Sequence, residues 1–409
     1  MTDDGRPAAP GHAPVLPAGL WRQIARGTPD PATLRLLRTA RAGRDLLLLR
    51  ALHHDARGTA GWDAAVAVLA AVRRHTPAVF DALISDPATG TVLAAAVRGG
   101  GREEVVALAA VAGHRAGLPF RLRTPVRDGA LVLPGLGRAV LGPGGGTACV
   151  ERGAYGTTVT AGGRRAAVHV PDVPGAAAPG WEPEPLLRLT ARGARLTLRL
   201  TPHGRAAERR GPGGADGPDD ADRWRDRLGA AWDRLADRHP DRADTVRGTV
   251  RAVADLASAP STPTAPARWR SASFSDAFGL VALAPLDAPA ELAAALVHET
   301  QHSLLYALQD LTPLLDAPPG AHGTAPWSDR PRPPSALLHG AAAFLVTAGF
   351  WRTEAACGEP AARAPYERWR DTVRRACDEL DRGGWLTTSG RLLLDAVREV
   401  LAEWETAPV

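Results

Sequence analysis

The sequence predicts an α+β fold, mostly helical: an N-terminal helical region, a small antiparallel sheet, and a C-terminal helical domain with one short strand ahead of its first long helix. Three observations predict it. Apolar residues recur at helical spacing from Leu20 to about Ala110 and again beyond Trp224. Between Phe120 and Leu200 they gather instead into short runs broken by glycine. Between Arg205 and Asp222 the chain is dense in Gly, Pro, Asp and Arg, which marks a linker or exposed loop. The expected organisation is a disordered stretch over 1–18, a helical and β region over 19–205, a linker over 206–222, and a helical domain over 223–409. A chain of 409 residues has room for two cores of ordinary size.

In the first region, Leu34, Leu36, Leu37 and the run from Leu46 to Leu49 give one helical stripe, and Val66, Leu69, Ala70 and Val72 another. Strands are expected over 130–133, 157–160, 166–170 and 196–200. In the last of these Leu196, Leu198 and Leu200 share one face while Thr197 and Arg199 meet water. Helices are then expected over 224–238 and 244–256, followed by a connection rich in Ser, Thr, Pro and Ala. A strand over 278–283 and four helices, over 288–311, 335–351, 364–381 and 388–404, complete the chain.

Composition excludes several chemistries. All 49 basic residues are arginine, so there is no lysine for a Schiff base, a P-loop or a Ser-Lys dyad. Cys149, Cys357 and Cys377 are far apart, which argues against an iron–sulfur cluster, a zinc ribbon or a disulfide framework. The polar start of the chain has no apolar signal core, and no segment reads as an uninterrupted membrane span, so a cytoplasmic location without membrane partners is expected. The net charge of +5 is mild for this length and the arginines are interleaved with acids; no nucleic-acid partner is expected.

The chemistry concentrates in His298-Glu299-Thr300-Gln301-His302, an H-E-x-x-H motif inside a helical pattern. Positions four apart share one helix face, so both imidazoles can address one metal with Glu299 alongside. Burying a carboxylate beside two imidazoles costs several kcal/mol unless a partner compensates, and a divalent cation does so directly. A metal site ordinarily needs a third protein ligand. The metzincin continuation requires Gly and His where this chain has Leu305 and Leu308. His339, the only titratable group over 335–351, is the expected third ligand, with Gly340 and the alanines after it allowing a close helix approach, and His322 is the reserve. Glu354 lies 15 residues beyond His339, about 22 Å along one helix, too far to share its site.

His298 to His302, Leu308 to Leu315, Pro326-Trp327, Pro331-Arg332-Pro333, and Leu338-His339-Gly340 through Phe350-Trp351 together resemble the HExxH-motif peptide-modification family of ribosomal peptide natural-product pathways. Arg330 stands ahead of the Pro-Arg-Pro triplet where other members carry an acid. The resemblance is specific over 271–352. It implies an Fe(II)- and 2-oxoglutarate-dependent dioxygenase that hydroxylates a side-chain β-carbon of a precursor peptide. Such chemistry needs three facial ligands, which His298, His302 and His339 would supply. The distal carboxylate of 2-oxoglutarate also wants a cation, here necessarily arginine: Arg332 first, Arg330 second, with Ser273 and Ser275 as secondary donors. The alternatives are a zinc metallopeptidase, in which Glu299 is the general base, and a metal-free peptide-binding relic. In either enzyme the strand over 278–283 is available to pair with an extended peptide. Trp369, Trp385 and Trp404 are expected to be packing residues.

Overall fold

In a computed structural model, residue 16 and residues 18–161, 167–201, 218–256 and 271–406 are described. The expected N-terminal disorder lies almost wholly outside them, as does the 257–268 connection. Six helices open the fold: α1 (Ala18–Arg26), α2 (Pro31–Ala56), α3 (Ala60–His75), α4 (Pro77–Ile84), α5 (Pro87–Val97) and α6 (Glu103–Ala116). Their boundaries have local causes. The Asp30 carboxylate accepts from the Thr33 backbone N–H to start α2, with Pro31 as its first helical residue. Asp86 does the same for α5, and Gly117, at φ +67°, ends α6 in the left-handed conformation.

Two small antiparallel sheets follow. β1 (Phe120–Val126), β4 (Gly146–Gly153), β5 (Gly156–Ala161) and β6 (Val168–Val170) lie in the order β1-β4-β5-β6. β2 (Ala130–Leu133), β3 (Gly137–Val140) and β7 (Trp181–Pro183) form the second. With α2 to α6 they enclose one core, in which β1 alternates buried and exposed residues along its length. The strand expected over 166–170 occupies Val168–Val170, and Ala166 lies outside the described residues.

The remaining strands, β8 (Leu186–Ala191), β9 (Ala194–Leu200), β10 (Ala252–Asp255), β11 (Ser271–Ser273) and β12 (Leu280–Leu283), build a five-stranded mixed sheet ordered β11-β12-β10-β9-β8. β10 runs parallel to both β9 and β12, whereas β8 and β11 are antiparallel edges. Leu196, Leu198 and Leu200 are buried on one face as their alternation demands. α7 (Pro218–Arg238), α8 (Pro240–Thr249), α9 (Pro289–Gln309), α10 (Pro334–Ala356), α11 (Arg363–Gly383) and α12 (Thr388–Thr406) complete the described helices. Among the described residues only α10 is long and apolar enough to span a membrane, and 89% of its apolar window is buried inside the fold.

Three expectations are corrected here. The helix expected over 244–256 stops at Thr249, because 252–255 is drawn into parallel pairing as β10. The linker over 206–222 is helical from Pro218 onward, and the rest of it lies outside the described residues. That segment also does not divide two independent cores. The largest core joins α1 and Leu187 to Leu200 of β8 and β9 with α7 to α12, so strands from both sides of the expected boundary share one sheet.

Candidate metal centre

α9 carries the motif through the middle of this core. It packs against α10, α7, β11 and α2, and every residue from Leu292 to Gln301 is buried. Its polar side chains are therefore held by specific partners. Gln301 Nε2 donates to the Ile24 carbonyl at 2.8 Å, tying α9 to α1. The Ser271 hydroxyl donates to Glu299 Oε1 at 2.6 Å.

The expected metal ligands come together. His298 Nε2 lies 3.2 Å from His302 Nε2, and His302 Nδ1 lies 3.3 Å from His339 Nδ1. His302 and His339 stack with ring centroids 5.5 Å apart, and Tyr306 leans on His339 from the other side. Phe344 covers His298 and itself stacks on Trp369, so Trp369 has the packing role expected of it. Burial is the main cause that holds all three imidazoles below their ordinary value: His298 to about 4, His302 to about 4 and His339 to about 3. Burial also raises the Tyr306 phenol, as does the charge of Glu299.

The pattern of protons along this chain is constrained at both ends. A neutral imidazole has one N–H and one lone pair. The Thr347 hydroxyl donates to the Ala343 carbonyl at 2.9 Å, so it presents a lone pair to His298 Nδ1, 3.1 Å away. This contact suits a proton on His298 Nδ1, with the Nε2 lone pair facing His302. At the other end His339 Nε2 faces Gln309 Oε1 at 2.9 Å, which can only accept, so the His339 lone pair is on Nδ1. His302, between them, has one proton for two acceptors.

The spacing of the two Nε2 atoms is one that a divalent cation could bridge. Two ligands at about 2.1 Å from one ion stand roughly 3.0–3.4 Å apart, the spacing between His298 Nε2 and His302 Nε2. With His302 Nε2 on an ion, its Nδ1–H would donate to His339 Nδ1, 3.3 Å away, the anchoring that metal-bound imidazoles commonly receive. The spacing of this donor pair suits one ion, but two imidazoles fall short of the three protein ligands a metal site ordinarily has. His339 does not complete it, because it addresses the opposite nitrogen of His302, and among the described residues no three His, Cys, Asp or Glu side chains converge on one ion. The expectation of His339 as third ligand is corrected accordingly.

The expected counter-charges for 2-oxoglutarate are elsewhere. Gly323 and Arg332 exchange both backbone hydrogen bonds, which closes the loop ahead of α10 and leaves Arg330 and Arg332 exposed. Arg332 Nε donates to Ser328 Oγ at 3.2 Å. These residues do not fit a buried keto-acid carboxylate. Ser273 is half-buried on the same face of β11 as Ser271, but Ser271 is the residue that reaches Glu299. The exposed Ser275 gives its carbonyl to Arg41. His322 bonds the Gly320 carbonyl on the surface, away from the motif. Glu354 is fully buried and held by Arg234, Arg238 and His239. β12 cannot accept a peptide by strand addition, since β10 and β11 occupy both of its edges.

Sequence reasoning missed Ser271, Thr347 and Gln309. Their signal was available: Tyr306 and Gln309 follow His302 at i+4 and i+7 on one helix face, and Thr347 follows His339 by eight. Comparison with protein-family models and with curated proteins gives no match to this chain.

Proposed function

We propose that this chain is a metal-dependent enzyme that modifies a peptide, with the ion held by His298 Nε2 and His302 Nε2 and with Glu299 handling the proton. The observation that carries the reading is the pair of imidazole nitrogens 3.2 Å apart on one face of the motif helix. A bound ion supplies a Lewis acid and an acidified water or, as iron, oxygenase redox chemistry. The protein's own contribution is orientation. Thr347 aims His298, His339 holds His302, and the Ser271 hydroxyl fixes one oxygen of Glu299. The helices around the motif exclude water and strengthen each of these contacts.

The sequence resemblance narrows the reading to an Fe(II)- and 2-oxoglutarate-dependent β-hydroxylase of a ribosomally made peptide, working in the cytoplasm. The positions of Arg330 and Arg332 give the keto acid no support, so no step is assigned to it. A zinc peptidase is the second reading, favoured by the Ser271 hydroxyl orienting Glu299, which adjoins His298 in the motif, as a general base.

The purified protein is to be titrated with Fe(II) and 2-oxoglutarate without oxygen, followed by oxygen and candidate peptides. A visible charge-transfer band, succinate, and a peptide mass gain of about 16 Da support hydroxylation. Zinc retention with peptide cleavage supports the second reading. Failure to bind either metal overturns both.

A further inference from the structure

We infer that the cavity between α2 and the end of α8 is a binding site for one monatomic anion, a halide such as chloride, which pins the N-terminal helices to the five-stranded sheet. The cavity has a volume of about 20 Å³, enough for a single water-sized species. Its walls come from segments far apart in the chain. Arg38, Arg41 and Asp45 face it from α2, Asp86 from the start of α5, and Thr249 and Arg251 from the passage between α8 and β10.

Of these charged groups, the two acids are neutralised from outside the cavity. Asp86 accepts two bonds of 2.6 Å from Arg199, and Asp45 Oδ1 accepts one of 3.1 Å from Arg44. Arg41 is matched from outside as well: Nη1 donates to Asp310 at 2.9 Å and Nη2 to the Ser275 carbonyl at 2.5 Å. Arg38 and Arg251 are left over. Among the described residues neither forms an ion pair, and Arg251 donates to the carbonyls of Arg247, Gly248 and Val250. Burial, with the charge of Arg38 second, holds Arg251 below the ordinary guanidinium value. Two further donors point the same way. Arg41 Nε and the Thr249 hydroxyl are buried, and among the described residues neither finds a hydrogen-bond partner. Leaving such donors unpaired is costly. A water molecule would satisfy the donors and leave the surplus positive charge, whereas an anion answers both.

The inference is independent of the histidine site, and its test uses the full chain. Thermal unfolding is followed at constant ionic strength, which holds general screening fixed, while sodium gluconate is replaced by sodium chloride. Gluconate is too large for the cavity. The melting temperature should rise by about 2–4 °C in chloride and level off as the site fills. Thr249→Val, which removes the hydroxyl and keeps the shape, and Arg38→Gln, at an exposed position, should each weaken chloride binding about tenfold and move the rise to higher chloride. If Thr249→Val folds poorly, Arg38→Gln decides alone. In crystals soaked in bromide the anomalous peak should lie among Arg41, Thr249 and Arg251. Equal melting temperatures in gluconate and chloride, an unchanged chloride response in Arg38→Gln, or bromide found only elsewhere overturns the inference and leaves the proposed enzyme reading untouched.

Discussion

Glu354 shows what a single buried charge demands of this fold. Its carboxylate is fully buried, with Oε1 2.8 Å from His239 Nε2 and Oε2 2.7 Å from Arg238 and 2.5 Å from Arg234. Burial alone would push its pKa up from 4.5; the hydrogen bonds from His239, Arg234 and Arg238 outweigh it and bring the group down to about 2. Because the folded value lies below the unfolded one, the stability it contributes is complete above about pH 4.5 and is lost as pH falls through about 2. Glu354→Gln should cost about 3 kcal/mol at pH 7, since two guanidinium groups lose their buried partner. In urea titrations the gap between wild type and variant should hold steady at pH 5–7 and narrow between pH 4.5 and 2. A gap that widens on acidification contradicts the assignment.

At the scale of elements, α9 to α12 were legible because each has a long apolar pattern and, for α9 and α10, a proline at its start. β10 was not. Ala252 to Asp255 is too short to show a period, and only parallel pairing with β9 and β12 makes it a strand. The same contrast holds at the site. Spacing along one helix correctly joined His298, Glu299 and His302. Nearness of Arg330 and Arg332 to His339 in sequence did not place them beside it, because the Gly323–Arg332 pairing holds their loop at the surface. Gly340 is a partial success: it permits close approach, but by the Trp327 indole from that loop and not by a helix. A Cβ there would lie 2.3 Å from the ring. Gly340→Ala should therefore lose about 1–3 kcal/mol to overpacking despite its better helix propensity. Gly229 in α7 has open space around its Cβ position, so Gly229→Ala should gain up to about 1 kcal/mol. Thermal unfolding of the two variants should move the melting temperature in opposite directions.

At the scale of the molecule, the five-stranded sheet decides what can stand alone. A fragment of residues 223–409 keeps the motif but removes β8, β9 and α1, whose apolar residues complete the core under α9. It also strips one edge of β10. Such a fragment should lack a cooperative melting transition by circular dichroism and should aggregate, while the full chain unfolds cooperatively; a sharply melting, monomeric fragment contradicts this. The parallel pairing has a further consequence for synthesis. β9 ends at Leu200 and its partner β10 begins at Ala252, about fifty residues later. At roughly 5–20 residues per second the ribosome needs on the order of 3–10 s to deliver that partner. Throughout that interval the nascent β8–β9 hairpin carries an open edge and the unburied leucines of β9, which exposes it to aggregation until β10 arrives.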